Sequence, residues 1–161
     1  MTSIRKIIRL AAAGAALLIT APAGVHAQAN RPEVVSGTCN PISHTAEGKI
    51  GADLKKHRSQ FYCDAAVITA LGDYRGHMLV QFSEKESHHA PPLGFAGRME
   101  PKDIMQVERV YLQPGVPMTV SDGECQFFWS DDRKRLIGIS CGMKLDKDDR
   151  RTVAFVAFDV K

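Results

Sequence analysis

The segment from Cys125 to Cys141 favours one antiparallel pairing, and that pairing constrains the rest of the chain. A three-residue loop centred on Arg133 opposes Trp129 to Ile137, Phe127 to Ile139 and Cys125 to Cys141. Side chains alternate across a strand, so these six share one face, while Gln126, Phe128, Gly138 and Ser140 take the other. Opposed residues lie about 4.5 to 5.5 Å apart at Cα, within reach of a disulfide. A slip of one residue spoils the apolar face and the cysteine pair together. The sequence therefore predicts a β-hairpin closed by a covalent bond.

Two further cysteines, Cys39 and Cys63, bring the number to four. An even number in an exported chain implies two disulfides. Of the three connectivities four cysteines allow, the hairpin register favours Cys125–Cys141 with Cys39–Cys63. No C-x-x-C is present, so a thioredoxin-like redox motif and a zinc ribbon both lack their spacing.

Export is read from residues 1–29. Arg5, Lys6 and Arg9 form a basic start, Leu10 to Ile19 is a short apolar run, and Ala27-Gln28-Ala29 is an A-x-A cleavage pattern. The mature chain is expected to begin at Asn30, with cleavage after Ala27 as the neighbouring alternative. An apolar run of about ten residues falls short of the roughly 20 that span a bilayer, so no stable membrane anchor is expected after cleavage. The predicted location is the periplasm or the medium. The organisation is a leader followed by one β-domain, 30–161.

Removing the leader changes the charge argument. It carries three of the 21 basic residues and none of the 18 acidic ones, so the remainder is balanced at 18 against 18. A neutral domain has no general field to attract nucleic acid, and no nucleic-acid partner is expected. Two basic clusters remain, Lys55-Lys56-His57-Arg58 and Arg133-Lys134-Arg135, and both read as solvated turns or faces.

Beyond residue 60 the texture is all-β. Short apolar or alternating runs cover Phe61–Leu71, His77–Ser83, Gly94–Met99, Ile104–Leu112, Val116–Ser121, Cys125–Ser130, Arg135–Cys141 and Thr152–Val160. Between them stand turn signals such as Pro114-Gly115, Asp122-Gly123 and Asp131-Asp132. About eight strands in a hundred residues predict a small antiparallel barrel or sandwich. Residues 30–60 are less patterned and are expected to form a short helical or irregular segment. Val34-Val35 is a candidate strand start, and Ala46 to Arg58 a candidate helix weakened by Gly48 and Gly51.

Catalytic constellations lack parts. Gly138-Ile139-Ser140-Cys141-Gly142 fits G-x-S-x-G, but no helix pattern and no histidine follow it. Asp146 to Arg151 opens like a calcium loop, yet Arg151 and Ala157 stand where glycine and glutamate belong. Glu100, Glu108 and Glu124 are candidate acids with no pairing legible in the sequence. His88-His89, with Glu84, Glu86 and His77-Met78 as helpers, could hold zinc or copper only if the loop folds them together. No cofactor is expected.

These readings converge on an exported, non-enzymatic binding or inhibitory domain whose partner is another envelope protein. The alternative is a carrier of a small molecule or of copper or zinc, using a barrel cavity or the His88-His89 loop. The expected contact residues are His88, His89 and Leu93, on the longest polar connection, together with Arg133 and Arg135.

Overall fold

The computed structural model describes residues 31–71, 76–83 and 92–161, and residues 1–29, where a leader is expected, lie outside them. The described residues form eleven strands: β1 (Glu33–Cys39), β2 (His44–Lys49), β3 (Arg58–Gln60), β4 (Ala65–Ala70), β5 (His77–Ser83), β6 (Leu93–Glu100), β7 (Ile104–Gln113), β8 (Val116–Thr119), β9 (Asp122–Trp129), β10 (Leu136–Lys147) and β11 (Arg150–Val160). Every pairing between them is antiparallel.

Eight strands close a ring in the order β1-β4-β5-β6-β7-β9-β10-β11, and β11 returns to β1. The expected choice between barrel and sandwich thus resolves to a barrel. The seam pairs Gly37 with Val160 and Cys39 with Phe158. Closure depends on Gly37, where a Cβ would run into the carbonyl oxygen of Asp159 and the ring of Phe158. One end of the ring, the seam end, gathers the start of β1, the β6–β7 and β9–β10 turns and the last residue of β11. The other end, the mouth, gathers the β7–β8 and β10–β11 turns, and there β2–β3 leaves the ring as a flap on β11.

The interior explains the alternation read from the sequence. Cys125 and Phe127 on β9 alternate inward, as do Ile139, Cys141, Met143 and Leu145 on β10. Phe82 of β5 meets Phe95 of β6 edge to face at 6.0 Å and Phe158 of β11 at 5.7 Å, so three fully buried rings span the barrel. Each such burial contributes on the order of 1.5 to 3 kcal/mol. On β11 the inner face is Ala154, Val156 and Phe158, while Val153, Phe155 and Ala157 are half-buried outside.

Both disulfides form as the spacing indicated, Cys39–Cys63 and Cys125–Cys141. Phe127 faces Ile139 and Cys125 faces Cys141 as expected. The expected Trp129–Ile137 pair does not form. The loop spans four residues instead of three, closed by Ser130 N–H donating to the Arg135 carbonyl, so Leu136 opposes Trp129. Ile137 is then the extra residue of a bulge before Gly138 meets Phe128. The bulge turns Leu136 into the core and leaves Ile137 and Trp129 exposed at 44% and 38%.

Residues 30–60 also depart from expectation. Instead of a helix over 46–58 there are two strands and one 3-10 turn, Leu54–His57, capped by the Asp53 carboxylate accepting from Lys55 N–H at 3.1 Å. Helix propensity yields here to the free edge of β11, which takes β2 from Phe155↔His44 to Arg150↔Lys49. Buried Ser43 bridges the break between β1 and β2, its hydroxyl donating to the Ala157 carbonyl at 3.2 Å and accepting from Ala157 N–H at 3.0 Å. Asp122-Gly123, expected as a turn, lies inside β9 opposite Lys144 and Met143.

Candidate functional site

At the seam end, the β9–β10 loop is built by its own side chains. Ser130 Oγ donates to Asp132 at 2.6 Å and accepts from Arg135 N–H at 3.1 Å. The Ser130 hydroxyl, and then Lys134 N–H, hold the Asp132 carboxyl below its ordinary pKa. Arg133 adopts a left-handed backbone and reaches the β6–β7 turn, where its guanidinium donates to both Asp103 oxygens at 2.9 Å. Phe127 N–H donates to the Asp103 carbonyl, and Gln126 Nε2 to that of Lys102. The two loops are thereby clamped together.

That clamp leaves Arg133 occupied and Arg135 open. Arg135, Lys134, Lys161 and Glu33 line a concavity of about 320 Å³ whose apolar lining includes Val34, Trp129 and Leu136. Val34 is 67% exposed. Phe128 of β9 and Ile137 of the bulge are exposed as well. Exposed aromatic and aliphatic side chains beside an arginine that makes no ion pair among the described residues have the composition of a protein contact.

The mouth carries a second concavity, of about 640 Å³. Its basic wall comes from the flap. Leu54 folds back over Gly48, where a Cβ would stand 2.7 Å from its Cδ2, and His57 follows over the same glycine. That packing directs Lys56, His57 and Arg58 along the groove. The floor is Ala46, Phe61 and Leu93, all buried, with Leu112 beside them. The lining acid, Glu47, accepts from Arg150 Nε at 2.7 Å.

Of the residues expected to share one contact surface, Leu93 and Arg133 are not brought together. His88 and His89, with Glu84 and Glu86, lie outside the described residues. Leu93 is 3% exposed and belongs to the floor of the mouth groove. It begins β6, whereas Arg133 binds the turn after β6, so the two are at opposite ends of the barrel, on the order of 25 Å apart by strand rise. The Lys55–Arg58 cluster, read as a solvated turn, also walls a groove. Its partners across that groove are 35 or more positions away in sequence, which hid the arrangement from local pattern reading.

Ser140 sits mid-strand between Gln126 of β9 and Ala157 of β11, so the G-x-S-x-G run forms no strand-to-helix turn. Glu100 bonds Arg98 and Glu108 pairs with His77 at 3.4 Å, while Glu124 lies opposite Gly142. The Asp146–Arg151 segment is the β10–β11 turn, with Arg151 donating to both Asp146 oxygens at 2.7 and 2.8 Å. Among the described residues, no three His, Cys, Asp or Glu side chains converge as metal ligands, and no cysteine is free. Among them, too, no helix is long and apolar enough to cross a membrane.

Comparison with family models, with curated proteins and with solved structures returned no match to this chain.

Proposed function

We propose that this protein is an exported, non-catalytic binding domain that presents the seam end of its barrel to another protein of the cell envelope, in a capturing or inhibitory role. The observation that carries this reading is the pair of exposed side chains Trp129 and Val34 that line one concavity with Arg135, at the end where disulfide Cys125–Cys141 and the Arg133–Asp103 clamp hold the backbone. Trp and Arg are the side chains that most often dominate binding energy at protein interfaces. A rigid rim loses little conformational entropy on association. The two disulfides suit an oxidising compartment, and the leader pattern of residues 1–29 supplies the route.

The test is capture of partners from periplasmic extract by the purified, oxidised protein, with the captured proteins identified by mass spectrometry. Trp129→Ala is expected to weaken a specific capture by about 25-fold or more, which is the effect of losing a 2 kcal/mol contact. Unchanged capture removes the rim from the reading, and turnover in a broad hydrolase screen removes the non-catalytic role. A second reading, carriage of a small molecule, is favoured by the groove at the mouth.

A further inference from the structure

We infer that the mouth groove is a binding site for a small amphipathic anion, a single carboxylate carried on an apolar body. The inference stands apart from the seam-end surface and uses none of its residues.

Charge is the first argument. Lys56, His57 and Arg58 all line the groove, and none of them makes an ion pair among the described residues. Four arginines elsewhere on the barrel are committed: Arg98 to Glu100, Arg133 to Asp103, Arg150 to Glu47 and Arg151 to Asp146. The Arg150 pairing matters twice, because it also draws Glu47 toward another cation. Of the charged side chains that line the groove, the acid is thus paired, while Lys56 and Arg58 have no counter-ion among the described residues. Asp53, at the foot of the same turn, accepts from the backbone of Lys55.

The floor is the second argument. Phe61, Leu93 and Ala46 belong to the buried set yet border the groove, and Leu112 is partly buried beside them. A bare inorganic anion would leave that apolar surface unused, and a neutral hydrocarbon would leave the cations without a partner. One molecule with an anionic head against the flap and an apolar body toward Phe61 and Leu93 satisfies both. A concavity of about 640 Å³ is within the size range of small-molecule sites. Thr45, Ser59, Gln60 and Thr152 supply neutral hydrogen-bonding groups around the head.

The wall is also fixed in place. Disulfide Cys39–Cys63 encloses the whole flap in its loop, and Ser43 fastens the entry to that loop onto β11. Lys56, His57 and Arg58 are held on a tethered element, and ordering them for a ligand costs correspondingly less.

The experiment titrates the purified, oxidised protein with decanoate, decanol, decyltrimethylammonium and acetate, each below its aggregation limit. Binding is followed by calorimetry and by NMR shifts. Decanoate is expected to bind with one-to-one stoichiometry, to shift Phe61, Leu93 and Leu112, and to bind about tenfold tighter than decanol. Acetate and the cationic amphiphile are expected to show no saturable binding. Lys56→Glu/Arg58→Glu changes only exposed positions, so it should keep the melting temperature and lose about tenfold in decanoate affinity. Equal affinity for decanoate and decanol overturns the inference. So does an unchanged affinity in the charge-reversed variant, or a shift map centred on Trp129 in place of Phe61.

Discussion

Removing the Cys39–Cys63 bridge is the perturbation whose cost follows most directly from the topology. The bridge joins the end of β1 to the segment before β4 and closes a loop of 24 positions holding β2, the 3-10 turn and β3. By loop-closure entropy a loop of that length confers about 3.4 kcal/mol through the unfolded state. The backbone hydrogen bond from Cys39 N–H to the Cys63 carbonyl, 2.9 Å, survives replacement of both side chains. Cys39→Ala/Cys63→Ala should therefore lose about 3.4 kcal/mol and little more, out of a stability of roughly 5 to 15 kcal/mol. For a domain of roughly 130 residues, the same energy lowers the melting temperature by about 12 °C. The assay is urea unfolding of the oxidised protein and the variant, followed by far-UV circular dichroism and by the fluorescence of the single tryptophan, Trp129. Its slope should rise, since the uncrosslinked chain exposes more surface on unfolding. The Cys125–Cys141 bridge, spanning 16 positions, is the internal control at about 3.1 kcal/mol. A loss below about 1 kcal/mol, or a gap between the two variants above about 1.5 kcal/mol, would refute the entropic reasoning.

Gly37→Val is expected to open the seam by driving a side chain into Phe158 and the Asp159 carbonyl. Hydrogen exchange should then lose protection at Lys161, whose N–H bonds the Ser36 carbonyl at 3.1 Å, while the β10–β11 hairpin stays protected; wild-type protection at Lys161 contradicts the closure argument. Deleting Ile137 removes the bulge residue and leaves Leu136 opposite Trp129 and Gly138 opposite Phe128 in one regular ladder. That deletion should fold, retain a Cys125–Cys141 peptide in non-reducing maps, and change stability by less than about 1 kcal/mol, as for a surface change; failure to form the bond counts against the bulge assignment. The guanidinium of Arg151 holds the Asp146 carboxyl below its usual range, so the pair's contribution is complete above the ordinary aspartate pKa and is lost as pH falls through the lower folded value. A carboxyl NMR titration should show that depression in the wild type and its disappearance in Arg151→Gln.

The parts of the fold that were legible in the sequence are those where one strand face is buried and the other is not. His77–Ser83 was read with its true bounds, and the Cys125/Cys141 register emerged from alternation alone. Its neighbour Trp129 was misplaced because loop length and bulge compensate each other: four loop residues shift the frame, and Ile137 restores it. Strand β2, reading His-Thr-Ala-Glu-Gly-Lys, buries only Ala46 and so carries no alternating signal; the edge it joins on β11 defines it. The rim and the groove were illegible for another reason. Val34 and Trp129 come to line one concavity, and Lys56, Leu93 and Leu112 another, only after the ring has closed, and no local window contains such sets.

The seam has a consequence in time as well as in space. Gly37 and Val160 are partners roughly 120 positions apart, and β11 is synthesised after every other strand of the ring. Until it arrives, β10 and β1 each lack the strand that completes their pairing, β2 has no sheet to join, and Phe82 lacks one of its two ring neighbours. The nascent chain can form hairpins but no barrel, and its open edges invite pairing with other strands. The same delay keeps it threadable, because a chain that closes only with its last strand can pass a narrow channel before it folds. Completion of β11 thus marks the point at which the ring can close, and the period before it is when a chaperone would have the most surface to hold.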